Sequence, residues 1–321
     1  MTRVVTFGEL LLRLSPPGEE RLLASPQLVT CFGGAEANVA VALSHFGVSC
    51  DYVTRLPQNP LGEAGLEALQ REGVGTRWIL RGGDRLGLYF VEPGADLRTM
   101  RVVYDRAASS FARLDPDHID WGPILADASW FHATGITPAL GEGPARALAA
   151  AIQQARASGT PASLDLNYRA ALWQGRDPRP IVAPLARGAD LVIGNAAAVQ
   201  AMLGIDAPAN ALAQRVAADL ECRRVAITER EPIAAYTQRW SAVLYDTTEG
   251  RCVSSSRHEV HVVDRVGGGD CFAAALIAQL LSGAPPADAL DFAVRAGALK
   301  ITQPGDFSRL SVAEVLEWRP P

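Results

Sequence analysis

The stretch from His258 to Leu281, HEVHVVDRVGGGDCFAAALIAQLL, restricts the fold of this chain more than any other. Val260, Val262 and Val263 are β-branched residues suited to a pleated, half-buried strand. Gly267, Gly268 and Gly269 then make a loop. Asp270 is expected to open a helix that runs apolar through Phe272, Leu276, Ile277 and Leu280 and stops at Gly283. Strand, glycine loop and helix N-terminus together hold an anion. Glycine lets the backbone come close, and the unpaired N–H groups and the positive end of the helix dipole favour a phosphate. Asp270 is thus a carboxylate in a place built for an anion. As an N-cap it satisfies backbone N–H groups. As a base it accepts a proton from a substrate hydroxyl while the loop stabilises a transferring phosphoryl group. A glycine run alone fits an ordinary capped helix equally well, so the rest of the chain has to decide.

The rest alternates strands and helices. Strands are expected at Val4–Phe7, Cys50–Arg55, Ala128–Ala133, Pro161–Leu166, Ala189–Ile193 and Val225–Thr228, with edge strands at Ala234–Tyr236 and Ala242–Tyr245. Helices are expected from Gly34 to Gly47, and over Pro60–Glu72, Glu142–Ala157, Pro286–Ile301 and Ser311–Trp318. This is the pattern of one doubly wound α/β domain with a mostly parallel sheet. One segment breaks it. Leu86–Glu92 and Leu97–Tyr104, separated by Pro93-Gly94-Ala95-Asp96, read as a hairpin. With the extended segment after Glu9, it is expected to form a small β-lid from about 11–32 and 86–106. Asp165-Leu166-Asn167-Tyr168-Arg169 ends a buried strand, where open α/β sheets bind ligands.

Composition removes several alternatives. The net charge is −5 with no basic block, which excludes a nucleic-acid surface. No apolar run is long enough to cross a membrane, and the N-terminus, broken by Glu9 and Arg13, is not a signal peptide. The five cysteines are scattered and lack metal-ligand spacing, which suits a reducing, cytoplasmic setting. His258 and His261 fall on opposite faces of a strand, so they do not share a metal.

Two signatures then carry a family resemblance. Gly33-Gly34-Ala35-Glu36-Ala37-Asn38 and Asp264-Arg265-Val266-Gly267-Gly268-Gly269-Asp270 resemble, in order and context, the N- and C-terminal signatures of the ribokinase-like (PfkB) carbohydrate kinases. Gly8–Pro17, Tyr104-Asp105-Arg106-Ala107, Asp165–Arg169 and Gly305-Asp306-Phe307 are similar to the 2-keto-3-deoxygluconate kinases within that family. The resemblance implies a three-layer α/β/α ribokinase-like fold over residues 1–321. It also implies transfer of phosphate from ATP with Mg²⁺, with dependence on a monovalent cation left open. Asp270 matches the catalytic base, and Gly267, Gly268 and Gly269 the anion hole. Gly34, Tyr89, Tyr104, Arg106 and Arg169 match positions that hold the sugar acid. Asn195 matches a residue near the nucleotide phosphates, with Thr228 on the same side. The guanidiniums suit a carboxylated sugar.

Two departures stand out. The family's N-x-x-E motif reads Asn195-Ala196-Ala197-Ala198, which leaves the metal ligands unassigned. Thr228-Glu229-Arg230-Glu231 puts two carboxylates on the nucleotide side. A family kinase for a neutral sugar such as fructose or ribose, and a non-catalytic sugar- or nucleotide-binding relative, therefore stay open. A dinucleotide-dependent dehydrogenase fits poorly, because no G-x-G-x-x-G follows the first strand. The lid strands are expected to be covered by a second copy of the chain.

Overall fold

The computed structural model describes residues 2–94, 98–234 and 236–318. Its strands are β1 (Arg3–Phe7), β2 (Leu11–Ser15), β3 (Val29–Gly33), β4 (Ser49–Leu56), β5 (Ile79–Arg81), β6 (Gly87–Glu92), β7 (Arg101–Asp105), β8 (Trp130–Thr134), β9 (Ala162–Asp165), β10 (Leu191–Gly194), β11 (Arg224–Ala234), β12 (Thr237–Asp246), β13 (Arg251–Ser254) and β14 (His258–His261). The helices are α1 (Ala35–His45), α2 (Pro60–Arg71), α3 (Trp121–Leu125), α4 (Glu142–Ser158), α5 (Ala170–Trp173), α6 (Arg179–Arg187), α7 (Ala196–Leu203), α8 (Ala209–Leu220), α9 (Gly268–Leu281), α10 (Pro286–Lys300) and α11 (Val312–Glu317).

The large sheet has ten strands in the order β13-β12-β11-β10-β9-β8-β1-β4-β5, with β14 also paired to β12. From β11 to β5 all neighbours are parallel; β12, β13 and β14 are antiparallel additions. Alternation sends successive side chains to opposite faces. Val4, Tyr52, Leu191, Ile193 and Ala226 join α1, α9 and α10 in one core. Val5, Val53, Val192, Val225 and Ile227 join α4, α6, α7 and α8 in the other. The result is a helix–sheet–helix sandwich of the ribokinase-like type. The chain winds from β1 towards β5 on one side and from β8 towards β11 on the other. The switch therefore lies between β1 and β8, and the crevice beyond these strand ends is where such sheets take ligands.

A second sheet, β3-β2-β6-β7, stands over that crevice. The expected tip of its hairpin, Ala95-Asp96-Leu97, lies outside the described residues; the second strand runs Arg101–Asp105, paired with β6 from Leu88↔Asp105 to Glu92↔Arg101.

Three local expectations are corrected. Ala234–Tyr236 is not a separate edge strand: β11 and β12 form one long hairpin in which Ala234 pairs with Thr237, and Ala235 is outside the described residues. The strand before the glycines is short and peripheral, since β14 ends at His261 and Val263 is exposed. Asp270 does not cap α9. Gly267 is the cap and Asp270 is the third helical residue. Along β14, His258 is buried and His261 exposed, as alternation requires.

Candidate active site

The N-terminus of α9 is the floor of a cleft of about 660 Å³ between the sheet ends and the lid. Gly267 turns the chain with φ +82, and a Cβ there would stand 2.3 Å from the Asp306 carbonyl oxygen, so only glycine fits. The first turn of α9 leaves backbone N–H groups without helical partners. Gly267, Gly269 and Asp270 line the cleft. Gly268 does not: its Cα faces the core, where a Cβ would come within 2.6 Å of Ile301 Cγ2 and 3.2 Å of the Gly297 carbonyl oxygen. Its side of the helix serves the close crossing of α9 and α10.

Asp270 is buried at 8% exposure and held by amides from both halves of the chain. Asn38 Nδ2 donates to Asp270 Oδ2 at 2.7 Å, and Asn167 Nδ2 lies 3.5 Å from Oδ1. Burial pushes the Asp270 pKa up, and the Asn38 hydrogen bond and the Arg169 charge oppose that rise. Asn167 also donates from Nδ2 to Asp165 Oδ2 at 3.3 Å, so it bridges two carboxylates. It sits at φ 41, a left-handed conformation that asparagine tolerates. Burial and the Asp270 charge push Asp165 up as well. The amide oxygens of Asn38 and Asn167 are buried without a hydrogen-bond donor. They are acceptors in need of hydroxyls from a ligand.

Gly34 precedes α1 with φ +146, and a Cβ would meet the Glu9 carbonyl oxygen at 2.2 Å. The two glycine signatures thus face each other, joined by the Asn38–Asp270 hydrogen bond. Beside them Glu36 Oε1 accepts from Thr134 N (3.1 Å), Thr134 Oγ1 (2.7 Å) and Thr137 Oγ1 (3.2 Å), and burial pushes its pKa up to about 7.

At the lid end, Tyr89 and Tyr104 are cross-strand neighbours with stacked rings 6.3 Å apart, and the Arg106 guanidinium lies 5.6 Å from the Tyr104 ring centre. Arg106 also makes a buried ion pair with Glu9 (Nη2 to Oε2, 2.6 Å; Nε to Oε2, 2.7 Å). Its charge is therefore matched inside the protein. Of the pair, Arg169 rather than Arg106 has charge to offer an anionic sugar. Asp306 accepts from the Tyr89 hydroxyl and pairs with Arg13 at 3.0 Å; Arg13 also reaches Asp264 at 2.7 Å. Arg13 on β2 thereby ties the lid to the segment that carries the C-terminal glycines.

At the other end, the strand termini supply the lining. Arg169 is exposed, with Nη1 donating to its neighbour's carbonyl, Tyr168 O. Asn195 caps α7, its Oδ1 accepting from Ala198 N at 2.8 Å. Thr228 is buried, with Oγ1 donating to Gly194 O at 3.3 Å. The two carboxylates that looked misplaced point away. Along β11, Thr228 and Arg230 line the cleft. Glu229 accepts from Ser241 Oγ at 3.0 Å and Glu231 pairs with Arg239 at 2.8 Å on the opposite face. Alternation was available in the sequence to separate them.

Ala198 is buried and brings a methyl group where the family's motif has a glutamate. Among the described residues no three His, Cys, Asp or Glu side chains gather to hold a metal. The donors of the described residues do not make a Mg²⁺ cage.

The cleft gathers Asp270, Gly267, Gly269, Gly34, Tyr89, Tyr104, Arg106, Arg169, Asn195 and Thr228, with Gly268 just behind. From the sequence, Asn38, Asp165, Asn167 and Asp306 fall inside the motifs without a role of their own, and Arg230 is read only with its acidic neighbours. Asn38 closes the first glycine signature one helical turn past Gly34, and that spacing was the available signal. The chemistry on offer is a buried carboxylate with a raised pKa beside unpaired helix N–H groups: a base next to an anion site.

The chain is similar to known proteins over nearly its whole length. Residues 1–311 match the pattern of the pfkB family carbohydrate kinases. The chain is similar to a 2-dehydro-3-deoxygalactonokinase from Haloferax volcanii, 34% identical over 97% of this chain and 95% of that one. It is also similar to a 2-dehydro-3-deoxygluconokinase from Thermoproteus tenax, 30% identical over 95% and 90%. The crystal structure of a 2-dehydro-3-deoxygluconokinase from Thermotoga maritima superimposes with a TM-score of 0.95, 41% identity and 99% of both chains covered. The chain belongs to the PfkB family of carbohydrate kinases, enzymes that transfer a phosphoryl group to an alcohol.

Proposed function

We propose that this kinase uses ATP to phosphorylate 2-keto-3-deoxygluconate, or its galacto epimer, at the terminal 6-hydroxyl. The observation that carries the reading is Asp270. It is buried, held by Asn38, raised in pKa and set in the first turn of α9. A base works best when its pKa approaches the working pH. Asp270 takes the proton of the 6-hydroxyl as that oxygen attacks the γ-phosphorus, and the bond to the β–γ bridging oxygen breaks to release ADP. The first-turn N–H groups of α9, after Gly267, receive the charge on the transferring group. The donor-less oxygens of Asn38 and Asn167 accept from sugar hydroxyls, and Arg169 meets the carboxylate. Tyr89, Tyr104 and Arg106 close the pocket, and Gly34 lets the sugar lie against the backbone. Asn195 and Thr228 flank the nucleotide phosphates. Mg²⁺, where bound, would neutralise part of the nucleotide's charge and would depend chiefly on phosphate oxygens for its ligands.

A neutral sugar is the second reading, and the Arg106–Glu9 pair favours it, because one of the two guanidiniums already has its counter-charge. ADP release by the purified protein with Mg·ATP separates the readings, comparing both keto-deoxy acids, fructose, ribose and no acceptor. The acid alone should be turned over, and Asp270→Asn should lower kcat by about 10²–10⁴-fold with the fold intact by circular dichroism. Turnover of fructose or ribose replaces the substrate; an active Asp270→Asn removes the base.

A further inference from the structure

Arg230 lines the cleft but takes no part in the proton transfer or the sugar contacts. It lies on β11 beyond Thr228, directly opposite Trp240 on β12, in the register where Glu229 faces Ser241 and Glu231 faces Arg239. Alternation therefore sends Arg230 into the cleft while its acidic neighbours face away. Its guanidinium lies over the Trp240 ring at 4.2 Å from the ring centre. A Cβ placed on Gly269 would stand 2.8 Å from Arg230 Nη2, so the guanidinium rests against the first turn of α9, one residue from Asp270.

Three other cations near the cleft are engaged within the protein. Arg106 is paired with Glu9, and Arg13 with Asp264 and Asp306. The Lys300 ammonium donates to the carbonyl oxygens of Val266, Gln303 and Gly305. Arg230 forms no hydrogen bond or ion pair among the described residues, and it is exposed to the cleft. It interacts electrostatically with Asp165 and Asp270 on one side and with Arg169 on the other. A nucleoside triphosphate entering here brings several negative charges next to two carboxylates. The aromatic face holds the guanidinium's position while leaving its N–H edge open to a phosphate fork.

Resting on the kinase reading, we propose that Arg230 is a further catalytic residue: its guanidinium grips the terminal phosphate of the nucleotide and stabilises the phosphoryl group in transit, beside the first turn of α9. The bonds exchanged are those of the kinase step. The guanidinium stays protonated throughout and moves no proton.

The test uses the full-length protein, with Arg230→Gln and Arg230→Lys beside the wild type. ATP and AMP binding are measured by calorimetry without sugar, and kcat with the acceptor that the wild type uses. Arg230→Gln should weaken ATP about tenfold, leave AMP unchanged and lower kcat about a hundredfold, with partial recovery in Arg230→Lys. An unchanged ATP-to-AMP ratio overturns the assignment. An equal loss for both nucleotides, with a lowered Tm, also overturns it and makes Arg230 a packing group on Trp240. Failure of the wild type to phosphorylate any acceptor sinks the kinase reading instead, and the nucleotide ratio still decides whether Arg230 holds a phosphate.

Discussion

The two ends of the cleft are built on opposite terms. At the lid end the charges named above are paired within the protein: Glu9 with Arg106, and Arg13 with Asp264 and Asp306, the last also accepting from the Tyr89 hydroxyl. At the strand-terminus end Arg169 makes one hydrogen bond, to a neighbouring carbonyl, and Arg230 makes none among the described residues. The first end has its charges matched before a ligand arrives. The second holds cationic donors in reserve. A site assembled this way fixes the acceptor's shape with neutralised, buried pairs and keeps its uncompensated charge for anions. The difference also separates two kinds of mutational effect, on stability and on binding.

The largest effect is expected where the lid end is broken. Glu9→Gln leaves Arg106 buried without its counter-charge, and removing one partner of a buried pair costs about 3–5 kcal/mol. Guanidinium denaturation should show the midpoint shifted down by a corresponding amount. A change below about 1 kcal/mol would mean that the pair is solvated in solution and that the two ends are not distinct.

This contrast was only partly legible in the sequence. The parallel α/β core was, because β-branched runs and glycine stops repeat along the chain, and the lid hairpin stood out by interrupting that rhythm. Helices α6, α7 and α8 escaped notice. Pro178, Pro184 and Pro208 punctuate that stretch as though it were loop, and the alanines of α7 give its helical face little contrast. Within the cleft, Asp270 and the glycines announced themselves by local spacing. Glu9, Arg13 and Asp306 could not be linked that way. Arg13 meets Asp264 and Asp306 across more than 250 residues of chain, and pairing at that separation leaves no local periodicity to read. Arg230 was hidden differently, judged by its acidic neighbours when strand alternation had already set it apart from them.

A second, smaller effect depends on pH. Glu36 takes all its hydrogen bonds from the protein, as the lid end does, yet it lies beside Asp270. Burial raises its folded pKa from the ordinary 4.5 to about 7, so the folded protein binds this proton more tightly than the unfolded chain does. Its contribution to stability is fully present below about pH 4.5 and is lost as pH rises to 7. At about 1.4 kcal/mol per unit, this is on the order of 3 kcal/mol. Glu36→Gln should remove that part of the stability–pH slope while keeping an acceptor oxygen for Thr134 and Thr137. Denaturation midpoints measured from pH 4.5 to 8 would show it, and parallel curves for the two proteins would exclude Glu36 as the titrating group.

The smallest effect belongs to the open end. Arg169 is exposed and, among the described residues, bonded only to its neighbour's carbonyl, so Arg169→Ala should change stability by no more than about 0.5 kcal/mol. Its consequence should appear in binding alone. A charge-assisted hydrogen bond to a carboxylate is worth about 1.5 kcal/mol or more, so KM for the sugar acid should rise at least about tenfold. KM for ATP should hold, because Arg230 rather than Arg169 lies against Gly269 and the start of α9. Steady-state kinetics with each substrate varied in turn decide it. Equal rises in both constants would mean that the two guanidiniums act together on the nucleotide phosphates. The sugar acid would then have to find its counter-charge at the lid end, where Arg106 has already given its own to Glu9.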